Sequence, residues 1–278
     1  MPKPVALAIA TSDSGGGAGI QADLKAMEAN GVFGASALAA ITAQNTETVT
    51  QAHALPTDLV VAQIDAVAED MNVQATKTGM LYTADIIEAV ADRVDAHDLQ
   101  PLVVDPVMIS KTGFKLLKDD AIAPMLETLI PQATLVTPNA HEAAHLTDVE
   151  IETVTDLRRA GEALYDHGPE AVLVKGGHLN ATEEAIDVLV TADGAQSFTT
   201  PRIDTPHTHG TGCTYASAIA ANLAKGHALQ SAVKRAKQYV TGAIRHALPL
   251  GQGRGPTNHF FHLDPEAALT DAAVELVD

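Results

Sequence analysis

The chain has 278 residues, 46% of them hydrophobic, with 35 acidic against 17 basic side chains for a formal net charge of −18. That length and apolar content support a sizeable core, in one large α/β domain or two smaller ones. The acidic balance argues against a nucleic-acid partner, no apolar run reaches the length of a membrane span, and a single cysteine excludes an internal disulfide framework.

Residues 5–10 form a short apolar run, too short for the core of a signal peptide and followed by Thr11-Ser12-Asp13 in place of a cleavage site. They read as a strand. The loop Ser14-Gly15-Gly16-Gly17-Ala18-Gly19 comes next, then a helix over 20–29 that stops at Asn30-Gly31. The loop matches neither the dinucleotide fingerprint nor a P-loop, and Asp13 and Asp23 flank it where a carboxylate can face a small ligand. Strands are expected at 35–42, closing on Ala43-Gln44-Asn45-Thr46, and at 75–80, with an amphipathic helix over 58–70 between them. A helix over 83–96 leads to a strand at 102–104 that ends in Asp105-Pro106-Val107-Met108. A helix over 119–129 precedes a strand at 134–137 running into Pro138-Asn139, and a helix over 154–167 precedes a strand at 171–174 closing on Lys175-Gly176-Gly177-His178. Residues 186–190 and 196–200 read as an antiparallel hairpin, and helices over 214–224 and 228–247 complete the pattern. Alternation of strand and helix with no linker or repeat predicts one doubly wound α/β domain over residues 1–278.

The candidate functional residues gather at strand ends, where such folds bind ligands: Asp13, Gln44, Met80, Asp105, Asn139 and Lys175. The stretch His209-Gly210-Thr211-Gly212-Cys213 opens the helix over 214–224. A Gly-rich turn at a helix N-terminus leaves backbone N–H groups free to hold an anion, and a thiol there tends toward the thiolate. The alternative is a tight turn with Cys213 as a small buried hydrophobe. His141-Glu142-Ala143-Ala144-His145 matches the H-E-x-x-H zinc pattern, but it lies just after Pro138-Asn139 with no third ligand in evidence. Read as Asn139-x-x-Glu142, the same stretch sets an amide and a carboxylate one turn apart, suited to hydrated Mg²⁺ and phosphate oxygens.

Taken together, these motifs resemble the ribokinase-like kinases, and within them the hydroxymethylpyrimidine/phosphomethylpyrimidine kinase branch of thiamin biosynthesis. The resemblance extends from Asp13 and the glycine loop through Thr42-Ala43-Gln44, Lys77-Thr78-Gly79-Met80, Asp105-Pro106-Val107-Met108, Thr137 to Glu142 and Lys175 to His178, to His209 through Thr214. It implies a three-layer α/β/α sandwich with a mostly parallel central sheet, and ATP-dependent phosphorylation of 4-amino-5-hydroxymethyl-2-methylpyrimidine and its monophosphate. It further implies that Gln44 bonds the aminopyrimidine in a pocket shaped by Asp23, Met80 and Val107. Asn139 and Glu142 would position Mg²⁺ and phosphates, with Asp105 and Lys175 beside the ATP. Gly210, Thr211 and Gly212 would hold the transferred phosphoryl, and Cys213 would accept the hydroxyl proton. Thr11 stands where the family commonly has Gly. Pyridoxal or pyridoxine kinase and a noncatalytic pyrimidine-sensing module remain as alternatives. A cytoplasmic homodimer is expected, with no membrane or nucleic-acid partner and with Asn180-Ala181-Thr182 idle as a sequon. The acidity is either an adaptation to a salt-rich cytoplasm or ordinary solubility.

Overall fold

The computed structural model describes residues 2–108, 119–177, 179, 183–263 and 275–277. His178 and the sequon at Asn180 lie outside them. A short stretch of alternating small and branched residues organises the fold: strand β1 (Val5–Asp13) sends Leu7 and Ile9 into one core and Ala6, Ala8 and Ala10 into the other. A strand apolar on both faces belongs in the middle of a covered parallel sheet. It lies between β2 (Phe33–Gln44) and β4 (Val73–Thr78), and pairs in parallel with both. The parallel ladder continues through β5 (Leu102–Val104), β6 (Leu135–Val136) and β7 (Ala171–Lys175).

Antiparallel strands finish both sides. β3 (Val49–Ala54) folds back on β2, while β8 (Glu184–Thr191), β9 (Gly194–Pro201) and β10 (Glu275–Val277) extend from β7. The sheet order is β10-β9-β8-β7-β6-β5-β4-β1-β2-β3. Helices α1 (Gly19–Ala29), α7 (Thr211–Ala224) and α8 (Leu229–Arg245) pack on the alanine face of β1. Helices α2 (Thr57–Ala68), α3 (Ala84–Ala96), α5 (Ala140–Thr147) and α6 (Val154–Tyr165) cover the other. This is the α/β sandwich with a mostly parallel sheet that the sequence implies.

Small residues explain why α7 lies so deep. Its Ala216, Ala218, Ala220 and Ala221 are fully buried, and the alanines of β1 leave room for it. Its N-terminus therefore meets the sheet at the strand ends. Between β5 and β6 the predicted helix over 119–129 is not regular. It winds as a 3₁₀ turn (Asp119–Ala121), the short α4 (Ile122–Pro124) and a π turn (Met125–Leu129). Pro124 lacks the N–H that a continuous α-helix needs and crowds the preceding turn.

Candidate functional site

The C-terminal ends of the parallel strands and the N-terminus of α7 enclose one cavity, lined by Asp13, Gln44, Met80, Asp105, Val107, Asn139, Glu142, Lys175 and residues 209–213, among others. Side chains far apart in sequence meet there because each stands at the end of a neighbouring strand. Gly210 caps α7 at φ +77°, a left-handed conformation, and a Cβ there would overlap the carbonyl oxygen of Gly17. Only glycine fits without strain. No side chain caps this helix, so the first N–H groups of the turn, including those of Gly212 and Cys213, lack intrahelical partners and open on the cavity.

The glycine loop is organised from inside. The Asp13 carboxylate accepts N–H bonds from Gly15 (2.8 Å), Gly17 (3.1 Å) and Ala18 (2.8 Å), and a ring N–H bond from His209 Nε2 (2.9 Å). Burial works against its charge, but these bonds outweigh burial and hold its carboxyl below the usual carboxylate range. Asp13 lines the cavity, yet its oxygens are committed to shaping the loop. Ser14 ties that loop to β2, donating to the Gln44 carbonyl at 2.7 Å and accepting the Gln44 N–H at 2.8 Å. The Gln44 amide sits between Thr42 Oγ1 (3.3 Å) and His209 Nε2 (3.4 Å).

Two ion pairs underlie the cavity. Lys175 bonds Asp105 Oδ1 at 2.8 Å, and Thr137 Oγ1 donates to the same oxygen at 3.1 Å. The other oxygen, Asp105 Oδ2, is buried without a hydrogen-bond partner among the described residues. Burial disfavours the Lys175 ammonium, but Asp105 and Glu142 outweigh it and raise its pKa. Lys77, fully buried at the end of β4, bonds both oxygens of Asp23 at 2.8 and 3.0 Å. Ser217 donates to the same carboxylate at 2.7 Å.

Three site expectations change against this geometry. Asp23 does not line the cavity; it sits behind Lys77, on the face of α1 that Ile20 and Met27 turn into the core. Asn139 Oδ1, the amide atom able to ligate a metal, already accepts N–H bonds from His141 (2.9 Å) and Glu142 (3.0 Å) as the cap of α5. The thiolate expected at Cys213 is disfavoured: burial pushes its thiol up to about 12, although Lys77 pulls the other way. Within the zinc-like stretch, Glu142 turns inward and accepts the Asn139 N–H at 2.8 Å, whereas His141 and His145 are exposed.

The structure also adds residues that received no role in the sequence. Lys77 stands in a strand, Val73-Gln74-Ala75-Thr76-Lys77-Thr78, polar enough that its burial against a carboxylate emerges only in the structure. Arg254, the cation within Gly251-Gln252-Gly253-Arg254-Gly255, joins the lining from the far end of the chain. Nothing in local spacing points to it.

Residues 13–258 match the family described as phosphomethylpyrimidine kinase. The chain belongs to this family. It is 50% identical over 256 residues to the hydroxymethylpyrimidine/phosphomethylpyrimidine kinase of Streptomyces coelicolor, covering 92% of this chain and 94% of that protein. The counterpart from Haemophilus influenzae is 49% identical over 257 residues, covering 91% and 96%. Among solved structures, the pyridoxal kinase of Staphylococcus aureus in complex with AMP-PCP and pyridoxal superposes with a TM-score of 0.90 at 31% identity, over 100% of this chain and 99% of that one. At position 11, where the resemblance leads us to expect Gly, the hydroxyl of Thr11 is buried and donates to the Met80 carbonyl at 2.9 Å. This bond joins two segments that line the cavity.

Proposed function

We propose that this enzyme uses ATP to phosphorylate 4-amino-5-hydroxymethyl-2-methylpyrimidine and then its monophosphate, yielding the diphosphate. The observation that carries the reading is the open N-terminus of α7, with Cys213 on its first turn, facing the same cavity as Gln44 and the Lys175–Asp105 pair. Gln44 presents an amide edge suited to an aminopyrimidine, while Met80 and Val107 supply apolar walls for the ring. ATP would lie across the helix N-terminus. Phosphoryl transfer needs alignment and charge stabilisation more than covalent chemistry. The N–H groups of Gly212 and Cys213 would meet the equatorial oxygens, the Thr211 N–H being committed to the Thr208 carbonyl at 3.3 Å, and Lys175 offsets charge on the phosphate chain. A noncatalytic sensor would have no use for this apparatus.

The buried donors also suit Mg²⁺. Asp105 Oδ2 has no partner among the described residues, and the buried Glu142 carboxylate lines the same cavity. A pair of carboxylates, with waters and phosphate oxygens, is the usual setting for this ion. Asp105 therefore replaces Asn139 in the ligand set, and Asn139 keeps Glu142 at the helix start. Burial and the charge of Asp105 push the Glu142 carboxyl up to about 7, with Lys175 partly offsetting them. A bound Mg²⁺ neutralises phosphate charge during transfer.

The two acceptors place different demands on Cys213. A hydroxymethyl group must lose a proton as the new bond forms, and the sulfur is the candidate acceptor once ionised. A phosphate oxygen needs no such help. The same reading expects a homodimer in a reducing cytoplasm, without nucleic-acid or membrane partners, its acidity being either an adaptation to salt or ordinary solubility. Among the described residues, no helix is long and apolar enough to cross a membrane.

ADP release with Mg-ATP and hydroxymethylpyrimidine, phosphomethylpyrimidine or pyridoxal in turn tests the reading. Turnover of both pyrimidines, ahead of pyridoxal, is expected. Turnover of pyridoxal alone would replace this reading with the pyridoxal kinase activity that the Staphylococcus aureus relative is named for.

A further inference from the structure

In a chain of net charge −18, cations at the cavity are few, and two of them are already matched: Lys77 by Asp23 and Lys175 by Asp105. Arg254 also lines the cavity, is exposed, and has no ion-pair or hydrogen-bond partner for its guanidinium among the described residues. Its backbone, by contrast, is pinned. The Gly253 N–H donates to Thr46 Oγ1 at 3.1 Å, and the Arg254 N–H donates to the Thr46 carbonyl at 2.9 Å. A Cβ on Gly253 would overlap that same carbonyl oxygen, so the close approach requires glycine. Just beyond, the Gly255 carbonyl accepts the His209 N–H at 3.1 Å, and the Thr257 N–H donates to the His209 carbonyl at 3.2 Å. The segment is a strap, tied at one end to the loop after Gln44 and at the other to the residue before the anion-binding turn.

We propose that Arg254 receives the phosphate of the monophosphorylated pyrimidine and sets the preference of the site for that acceptor over the alcohol. The inference rests on the kinase reading above. The strap that carries Arg254 is bonded to Thr46, beside Gln44, and to His209, beside the turn that opens α7, so a substrate whose ring meets Gln44 and whose phosphate meets that turn would lie along the strap. Lys175 and Asp105 lie against Gly212, within the turn, and are already paired with each other. The alcohol is neutral and enters an acidic protein without repulsion. The monophosphate is an anion, and a guanidinium carried on a pinned backbone, with no carboxylate partner among the described residues, answers it by a charge-assisted, bidentate contact.

The experiment compares wild type, Arg254→Gln and Arg254→Lys in steady-state kinetics with both pyrimidines, at low and molar KCl. The ratio of kcat/KM for phosphomethylpyrimidine to that for hydroxymethylpyrimidine is expected to fall roughly tenfold in Arg254→Gln, through KM, because the contact is charge-assisted but exposed. Arg254→Lys should recover part of the loss, and the salt dependence of the phosphomethylpyrimidine KM should flatten in Arg254→Gln. An unchanged ratio overturns the proposal. So does a rise in the ATP KM that is equal with both acceptors, which would assign Arg254 to the donor. If the wild type turns over neither pyrimidine, the kinase reading fails and takes this inference with it; an unchanged ratio alongside an active wild type refutes the Arg254 role alone.

Discussion

Cys213 sits at a helix N-terminus, which favours a thiolate, and in a buried layer of acids, which disfavours one; burial prevails and leaves a thiol pushed up to about 12. A base whose pKa lies that far above neutrality is ionised tenfold more often with each pH unit. The kcat for the hydroxymethyl acceptor should therefore climb from pH 7 to 10 without a plateau, while that for the phosphomethyl acceptor stays nearly level. Cys213→Ala should abolish the climb and cost the first transfer at least about 100-fold, the usual reach of a positioned base. Equal losses on both acceptors would deny the sulfur this role. Lys77 and Asp23 supply a second test, since neither side chain has any solvent exposure. Lys77→Met should lower stability by about 3–5 kcal/mol in urea unfolding because it strands a buried carboxylate, and adding Asp23→Leu should restore much of that. Additive losses would show that the two do not act as a pair. Gln44, Asp105 and Lys175 were legible because strand ends face the crevice whatever the details of packing. The place of Asp23 was not, because it depends on which way α1 turns. The clue lay in the spacing Ile20, Asp23, Met27, which puts a carboxylate on an apolar face and so calls for a buried cation.

At the scale of elements, the anion-binding turn depends on one backbone conformation. Gly210→Ala forces a side chain into φ +77° and against Gly17, so it should both destabilise the protein and spoil the turn. Left-handed strain alone is worth about 1–2 kcal/mol, and the overlap with Gly17 adds to it. In thermal unfolding and steady-state kinetics, a lower Tm should accompany a fall in kcat larger than any rise in KM. A variant with normal kcat would mean that the N–H groups of this turn do not meet the transition state. The elements themselves were mostly readable from apolar periodicity, with α1, α3, α6 and α8 close to their expected bounds. The exceptions have local causes. Pro124 breaks the helix expected over 119–129, and β3 carries too few branched residues after Thr50 to announce an edge strand. The strap through Arg254 was invisible, because its bonds run to Thr46, some 200 positions away in sequence, and to His209, not to its own neighbours.

At the scale of the molecule, the acidic surface and the cavity's cations make opposite demands. Self-repulsion among 35 carboxylates weakens the folded state in dilute buffer, and screening relieves it. The Tm should rise by several degrees between low and molar KCl, as following thermal unfolding across that range would reveal. A flat or falling Tm would make the acidity a matter of solubility alone. Composition showed the imbalance but not its distribution, and the structure buries Lys77 completely while leaving Lys175 at the cavity wall, each against a carboxylate. The account as a whole stands on two successive transfers at one site. The most direct test follows Mg-ATP and hydroxymethylpyrimidine with the wild-type protein by ³¹P NMR. The account predicts a monoester signal that rises and then gives way to the paired signals of the pyrimidine diphosphate. A monoester that accumulates to completion, or no new phosphorus signal from folded protein, would contradict it.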